Sequence, residues 1–116
     1  MIAGAVPDRM PGLWAFVASD DPGLVARALA TFREAEGMSL VLPLDVARGA
    51  GFAEALPMVC LTLRVQSALD GVGLTAAVSG ALAAAGIAAN VIAACRHDHV
   101  LVPAADADRA EAVLHA

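Results

Sequence analysis

The chain has 116 residues with seven Arg, no Lys, twelve acidic residues and a formal net charge of -5, and 59% of it is hydrophobic. That length fits one compact domain or two very small ones. Such hydrophobicity excludes a disordered chain, and so few cations with only 3% aromatics supply neither a phosphate-neutralising stripe nor a stacking platform for nucleic acid.

Alanine accounts for 29 of the residues, so the apolar excess is largely small side chains. The opening MIAGAVPDRMPG lacks a basic start and an apolar core, which argues against a secretory signal. Leu13 to Ser19 is a short apolar run between Pro/Gly and Asp-Asp-Pro-Gly and predicts a strand. Asp21 followed by Pro22 predicts a helix start, with Asp as cap. Val25, Ala28, Leu29, Phe32 and Ala35 recur at helical spacing and predict a helix over Leu24 to Glu36, stopped by Gly37. Met38 to Leu44 predicts a strand ended by Pro43. Asp45 to Leu56 reads as a loop or a short helix weakened by Gly49 and Gly51.

Met58 to Ser67 predicts a strand with Val59, Leu61, Leu63 and Val65 on one face. Gly71 to Gly73 predicts a loop and Leu74 to Ala85 a helix with Leu74, Val78, Leu82 and Ala85 as its buried stripe. Gly86 ends it, and Ile87 to Cys95 predicts a strand. Arg96 to His99 fits a hairpin turn, Val100 to Val102 a short strand, and Ala104 to Leu114 a last helix. Gly71 to Cys95 carries no charge over 25 positions, long enough to span a bilayer. Its four glycines, Ser79, Thr75 and Asn90 oppose insertion, so a loop, helix and strand are expected instead. Cys60 and Cys95 are expected as buried, reduced thiols in a cytoplasmic protein.

Both halves run strand, glycine-containing loop, helix, glycine, strand. The first is expected to stop after βαβ, over residues 11–56; the second, over residues 57–116, adds a hairpin strand and a helix to give βαββα.

Two constellations carry chemistry. Asp70, Gly71, Val72, Gly73, Leu74 and Thr75 open a helix, whose free amides suit a carboxylate, and the glycines admit a ligand close to the backbone. Asn90 follows on the next strand, with an amide that can both donate and accept. The plainer reading is a tight turn and a satisfied strand edge. The corresponding first-half loop, Asp20 to Gly23, has two acids and reads as helix capping. His97 and His99 are weak metal candidates that need Cys95 or His115 to complete a site; a polar turn is the plainer reading. No nucleophile-base spacing, Walker loop or GxGxxG is present, so no enzymatic activity and no cofactor are expected.

Leu69-Asp70-Gly71-Val72-Gly73-Leu74 and Ala85-Gly86-Ile87-Ala88-Ala89-Asn90-Val91-Ile92 resemble an ACT domain. Glu36 to Pro43, Gly73 to Ser79 and His97 to Pro103 are similar to a small bacterial family of stand-alone tandem ACT-like proteins, related to the regulatory ACT domains of aspartate kinase. Cys95 and Arg96 depart from the aromatic residues expected before His-Asp-His. The resemblance implies an α+β ferredoxin-like ACT fold (βαββαβ) in two units, the first incomplete. It implies a non-catalytic sensor binding a small ligand, most simply an amino acid, at an interface of ACT units, lined by residues 70–75 and by Asn90, Val91 and Ile92. Alanine-rich helices point to close packing in a homodimer, and a protein partner would read the liganded state. The alternatives are a ligand-free protein interaction module and a metal-sensing ACT-like protein.

Overall fold

Twelve short elements are laid out by a computed structural model that describes residues 6–64 and 73–115. They are β1 (Pro7–Arg9), β2 (Trp14–Ala18), α1 (Pro22–Arg27), β3 (Ala30–Glu34), β4 (Gly37–Pro43), α2 (Leu44–Gly49), β5 (Met58–Leu63), α3 (Leu74–Ala84), β6 (Asn90–Ala93), β7 (Asp98–Pro103), a 3-10 turn (Ala104–Asp106) and α4 (Ala107–His115). The fold is α+β, with antiparallel strand pairs covered by helices. Two units are distinguished: Gly12–Met58, and the described residues of 1–11 together with those of 59–116.

In the first unit the strand order is β3-β4-β2. Asp21 caps α1 by accepting from the Leu24 amide at 3.2 Å, with Pro22 next in line, as the sequence predicts. The predicted helix over Leu24 to Glu36 is corrected: α1 ends at Arg27, and Ala30–Glu34 forms strand β3 against β4. Two turns of helix already place Leu24, Val25 and Ala28 on the core, and β3 then satisfies the outer backbone edge of the buried strand β4. Gly37 is accordingly not a helix terminator. Its φ of 136° serves the β3–β4 hairpin, where Asp20 accepts from the Met38 amide at 2.9 Å. The unit is thus βαββα rather than βαβ, and it remains short of a sixth element. Its core is Ala15, Val17, Leu40, Leu42, Leu44 and Ala47.

In the second unit the order is β1-β5-β7-β6. Strands alternate, so Val59, Leu61 and Leu63 of β5 and Val100 and Val102 of β7 share one face with Val91 of β6. Val78 and Leu82 of α3 and Ala107, Ala110 and Leu114 of α4 pack on that face, so both helices lie on one side of the sheet. A strand unforeseen from the sequence, β1, pairs antiparallel with β5 (Asp8 opposite Thr62) and supplies the fourth strand. Arg9 clamps β1 to α4 through Asp108 and Glu111, and Asp8 pairs with Arg64. Gly86, with φ 73°, ends α3 while the Ile87 amide returns to the Leu82 carbonyl at 2.9 Å.

Both units turn from a core strand into a helical segment at a proline: Pro43 before α2 (φ -53°, ψ 138°) and Pro103 before the 3-10 turn (φ -54°, ψ 137°). Four alanines of α3, residues 76, 77, 83 and 84, are exposed together with Gly80. Among the described residues no helix is long and apolar enough to cross a membrane.

Candidate functional site

The predicted ligand loop meets the described structure at Gly73; Asp70, Gly71 and Val72 lie outside the described residues. Gly73 has φ 101°, a conformation that costs a side-chain-bearing residue, and it makes no side-chain cap to α3. Its carbonyl accepts from the Ala77 amide at 2.8 Å. Leu74 turns inward and packs on the core, while Thr75 is exposed. The Thr75 hydroxyl donates to Oδ2 of Asp98 at 3.4 Å, and the Ser79 hydroxyl donates to the Thr75 carbonyl at 2.7 Å.

Asp98 is 1% exposed, and the sequence reading placed it in a polar turn. The turn instead closes earlier, where the Ala94 amide donates to the His97 carbonyl at 3.1 Å, and Asp98 begins β7. Asp98 shares its face with Val100 and Val102, so it is buried on the helix side of the sheet. The alternation Asp98-x-Val100-x-Val102 is the signal from which this burial was legible.

The predicted strand over Ile87 to Cys95 contracts to β6, at the edge of the sheet. Val91 is half-buried opposite Val100 and packs on the core that α3 covers. Asn90, opposite Leu101, and Ile92, opposite His99, occupy the other face. Gly73, Leu74, Thr75 and Val91 therefore lie on the α3 side of the sheet, and the Asn90 and Ile92 side chains do not join them there.

His99 Nδ1 and the Thr62 hydroxyl are 2.9 Å apart. Burial lowers the His99 pKa from its usual 6.5, His97 adds to the lowering, and Asp98 works against it. Among the described residues, no three His, Cys, Asp or Glu side chains group as metal ligands. The expectation of two buried thiols holds for Cys60 and is corrected for Cys95, which is exposed just beyond the end of β6. Burial pushes the Cys60 thiol up to about 11, which keeps it protonated and unreactive at neutral pH. In the first unit a cleft of about 240 Å³ is lined by Asp20, Glu34, Glu36 and Ser39 among others, a set of charges that opposes a carboxylate.

The family model of the ACT domain matches residues 56–116. A Vibrio cholerae protein of unknown function, described as a possible transport protein, is 38% identical with a TM-score of 0.90, covering 97% of this chain and 88% of that one. An Agrobacterium tumefaciens protein is 23% identical with a TM-score of 0.68, covering 90% and 81%. The ligand-free regulatory subunit of aspartate kinase from Thermus thermophilus is 16% identical with a TM-score of 0.56, covering 96% and 97%. The last two likenesses concern fold alone. No curated protein sequence matches the chain.

Proposed function

This chain belongs to the ACT domain family, and from that premise we propose that it is a non-catalytic regulatory protein of the cytoplasm that binds an amino acid at the start of α3. The observation that carries the reading is the first turn of α3. It begins at Gly73 with no side-chain cap among the described residues, and free amides at a helix start favour a carboxylate. Residues 70–75 take the ligand's carboxylate, and backbone carbonyls take its ammonium group, since the Asn90 side chain lies on the other face of the sheet. The Thr75–Asp98 contact supports a route outward: a ligand that orders the first turn acts on the base of the β6–β7 hairpin. Binding then shifts the population toward one arrangement, which a partner protein reads.

A thermal-shift screen of the twenty amino acids on the full chain tests this. A ligand at a hundred times its Kd stabilises by about 2.7 kcal/mol, a shift of roughly 10 °C for a domain of this size. No shift with any amino acid at millimolar concentration sinks the proposal.

A second reading, a protein interaction module, is favoured by β3. This edge strand pairs only with β4 among the described residues and carries Phe32, 73% exposed. Association with a second copy through this edge forms the proposed homodimer. The metal-sensing alternative requires stabilisation by nickel or zinc that disappears when His97 and His99 become Ala.

A further inference from the structure

Two short helices of the first unit, α1 and α2, line a cleft of about 340 Å³ bounded by Leu24, Arg27, Asp45, Val46, Gly49 and Ala50. Leu24 and Val46 are half-buried against the core and give the cleft an apolar floor. Arg27 and Asp45 place opposite charges on its walls, yet they are not an ion pair. The Arg27 guanidinium, like those of Arg33, Arg48 and Arg96, has no hydrogen bond or ion pair among the described residues and is open to a ligand. Asp45 uses Oδ1 to accept from the Val46 amide at 2.9 Å, which leaves its second oxygen for another donor.

Gly49 adds an independent point. Glycine weakens a helix relative to alanine and is normally justified by a special backbone conformation or a close approach. Neither applies at Gly49: its φ is ordinary, and an added Cβ would meet nothing within 4 Å. Its effect is to leave one wall of the cleft open.

We propose that this cleft binds a small dipolar molecule. Its carboxylate is held by the Arg27 guanidinium, its ammonium by Asp45, and its apolar body lies on Leu24 and Val46. A simple anion meets the Asp45 carboxylate, and a simple amine meets Arg27, so the pair of charges selects for a molecule carrying both. The site belongs to the first unit and residues 70–75 to the second, and it does not depend on a ligand binding there.

The test is an NMR titration of the isotopically labelled full chain with leucine, isovalerate and isopentylamine, which share a branched apolar body and differ in charged ends. Leucine saturably shifts the amides of Arg27, Gly49 and Ala50. Isovalerate and isopentylamine bind there several-fold more weakly. Arg27→Gln and Gly49→Met each abolish saturation at these amides while the rest of the spectrum stays that of the folded protein. The proposal is overturned by unmoved cleft amides, by isovalerate binding as tightly as leucine, or by wild-type saturation in Gly49→Met. Shifts confined to Gly73–Thr75 also overturn it and leave the regulatory reading standing, whereas shifts confined to the cleft support it and count against that reading.

Discussion

Thr75 and Asp98 join the first turn of α3 to the first residue of β7: the threonine hydroxyl donates to a carboxylate only 1% exposed. At 3.4 Å the bond is long, so its own contribution sits at the low end of the usual range. Thr75→Val, which keeps the shape and removes the hydroxyl, should cost about 0.5–1 kcal/mol in urea unfolding. Asp98→Ala removes a buried carboxylate with further interactions, and should cost more, about 1–3 kcal/mol. A double variant no less stable than Asp98→Ala alone would show that the two residues act as a unit.

His99 links stability to pH. Its folded-state pKa is lowered, chiefly by burial, from 6.5. The unfolded chain therefore takes up the proton first, and the folded state binds it only at lower pH. Stability conferred by neutral His99 is present above pH 6.5 and declines as the pH falls from there toward the folded-state pKa. Urea unfolding at a series of pH values checks the sign: wild type should lose stability between neutral and mildly acidic pH, and His99→Gln should flatten that part of the profile. A wild-type curve that rises on acidification through this range contradicts the assignment.

Two glycines separate conformational need from mere presence. Gly86 has φ 73°, so Gly86→Ala should destabilise by about 1 kcal/mol although there is space for the methyl group. Gly49 has an ordinary φ and the same open space, so Gly49→Ala should be neutral or stabilise by up to about 1 kcal/mol. Leu82, fully buried between α3 and the sheet, sets the scale for core damage: Leu82→Ala should cost about 2–5 kcal/mol.

Sequence periodicity located β2, β4, β5, α3 and α4 because their apolar faces are long enough to reveal a period. It misread Leu24 to Glu36 because Val25, Ala28, Leu29, Phe32 and Ala35 also satisfy a helical spacing. The deciding factor was non-local, since β4 has a backbone edge that β3 pairs, and no local pattern encodes that need. Strand β1 was invisible for the same reason: Pro7-Asp8-Arg9 has no apolar run, and it is a strand by virtue of pairing with β5. At the site, the helix start at Gly73 was legible from glycine chemistry. That Asn90 and Val91 occupy opposite faces was implicit in strand alternation, but the face toward α3 was set by the register of Val91 with Val100.

The clamp on β1 is electrostatic and exposed, which makes it salt-sensitive. Arg9 reaches Asp108 at 2.8 Å and also Glu111, while Asp8 pairs with Arg64 at 2.8 Å. Hydrogen exchange should show the amides of Met10 and Arg64, which donate to Cys60 and Val6, losing protection several-fold between low and high salt. Arg9→Ala should reproduce that loss at low salt. The hydrogen bond from Arg64 holds the Asp8 carboxyl below its usual pKa of 3.8, so this contribution is present above that value and is lost as the pH falls through the lower folded-state value. Protection that ignores both salt and Arg9→Ala would leave the backbone ladder as the sole tether.

Strand β3 yields the most direct test of association. Its outer edge is unpaired among the described residues, and its side chains are exposed from Thr31 to Glu34. Phe32 lies on the face turned from the helices, opposite Ser39, with Phe16 on the same face beyond β4 at 44% exposure. An edge bearing an exposed aromatic is a template for pairing with another chain, and a charge placed there opposes it. Phe32→Lys removes apolar area only from the surface, so the monomer's stability should change by no more than about 0.5 kcal/mol. Sedimentation equilibrium should show the wild-type chain as a dimer and Phe32→Lys shifted toward monomer by a Kd at least tenfold weaker, about 1.4 kcal/mol. An unchanged dimer in Phe32→Lys moves the interface away from β3, and a wild-type monomer at millimolar concentration removes the homodimer altogether.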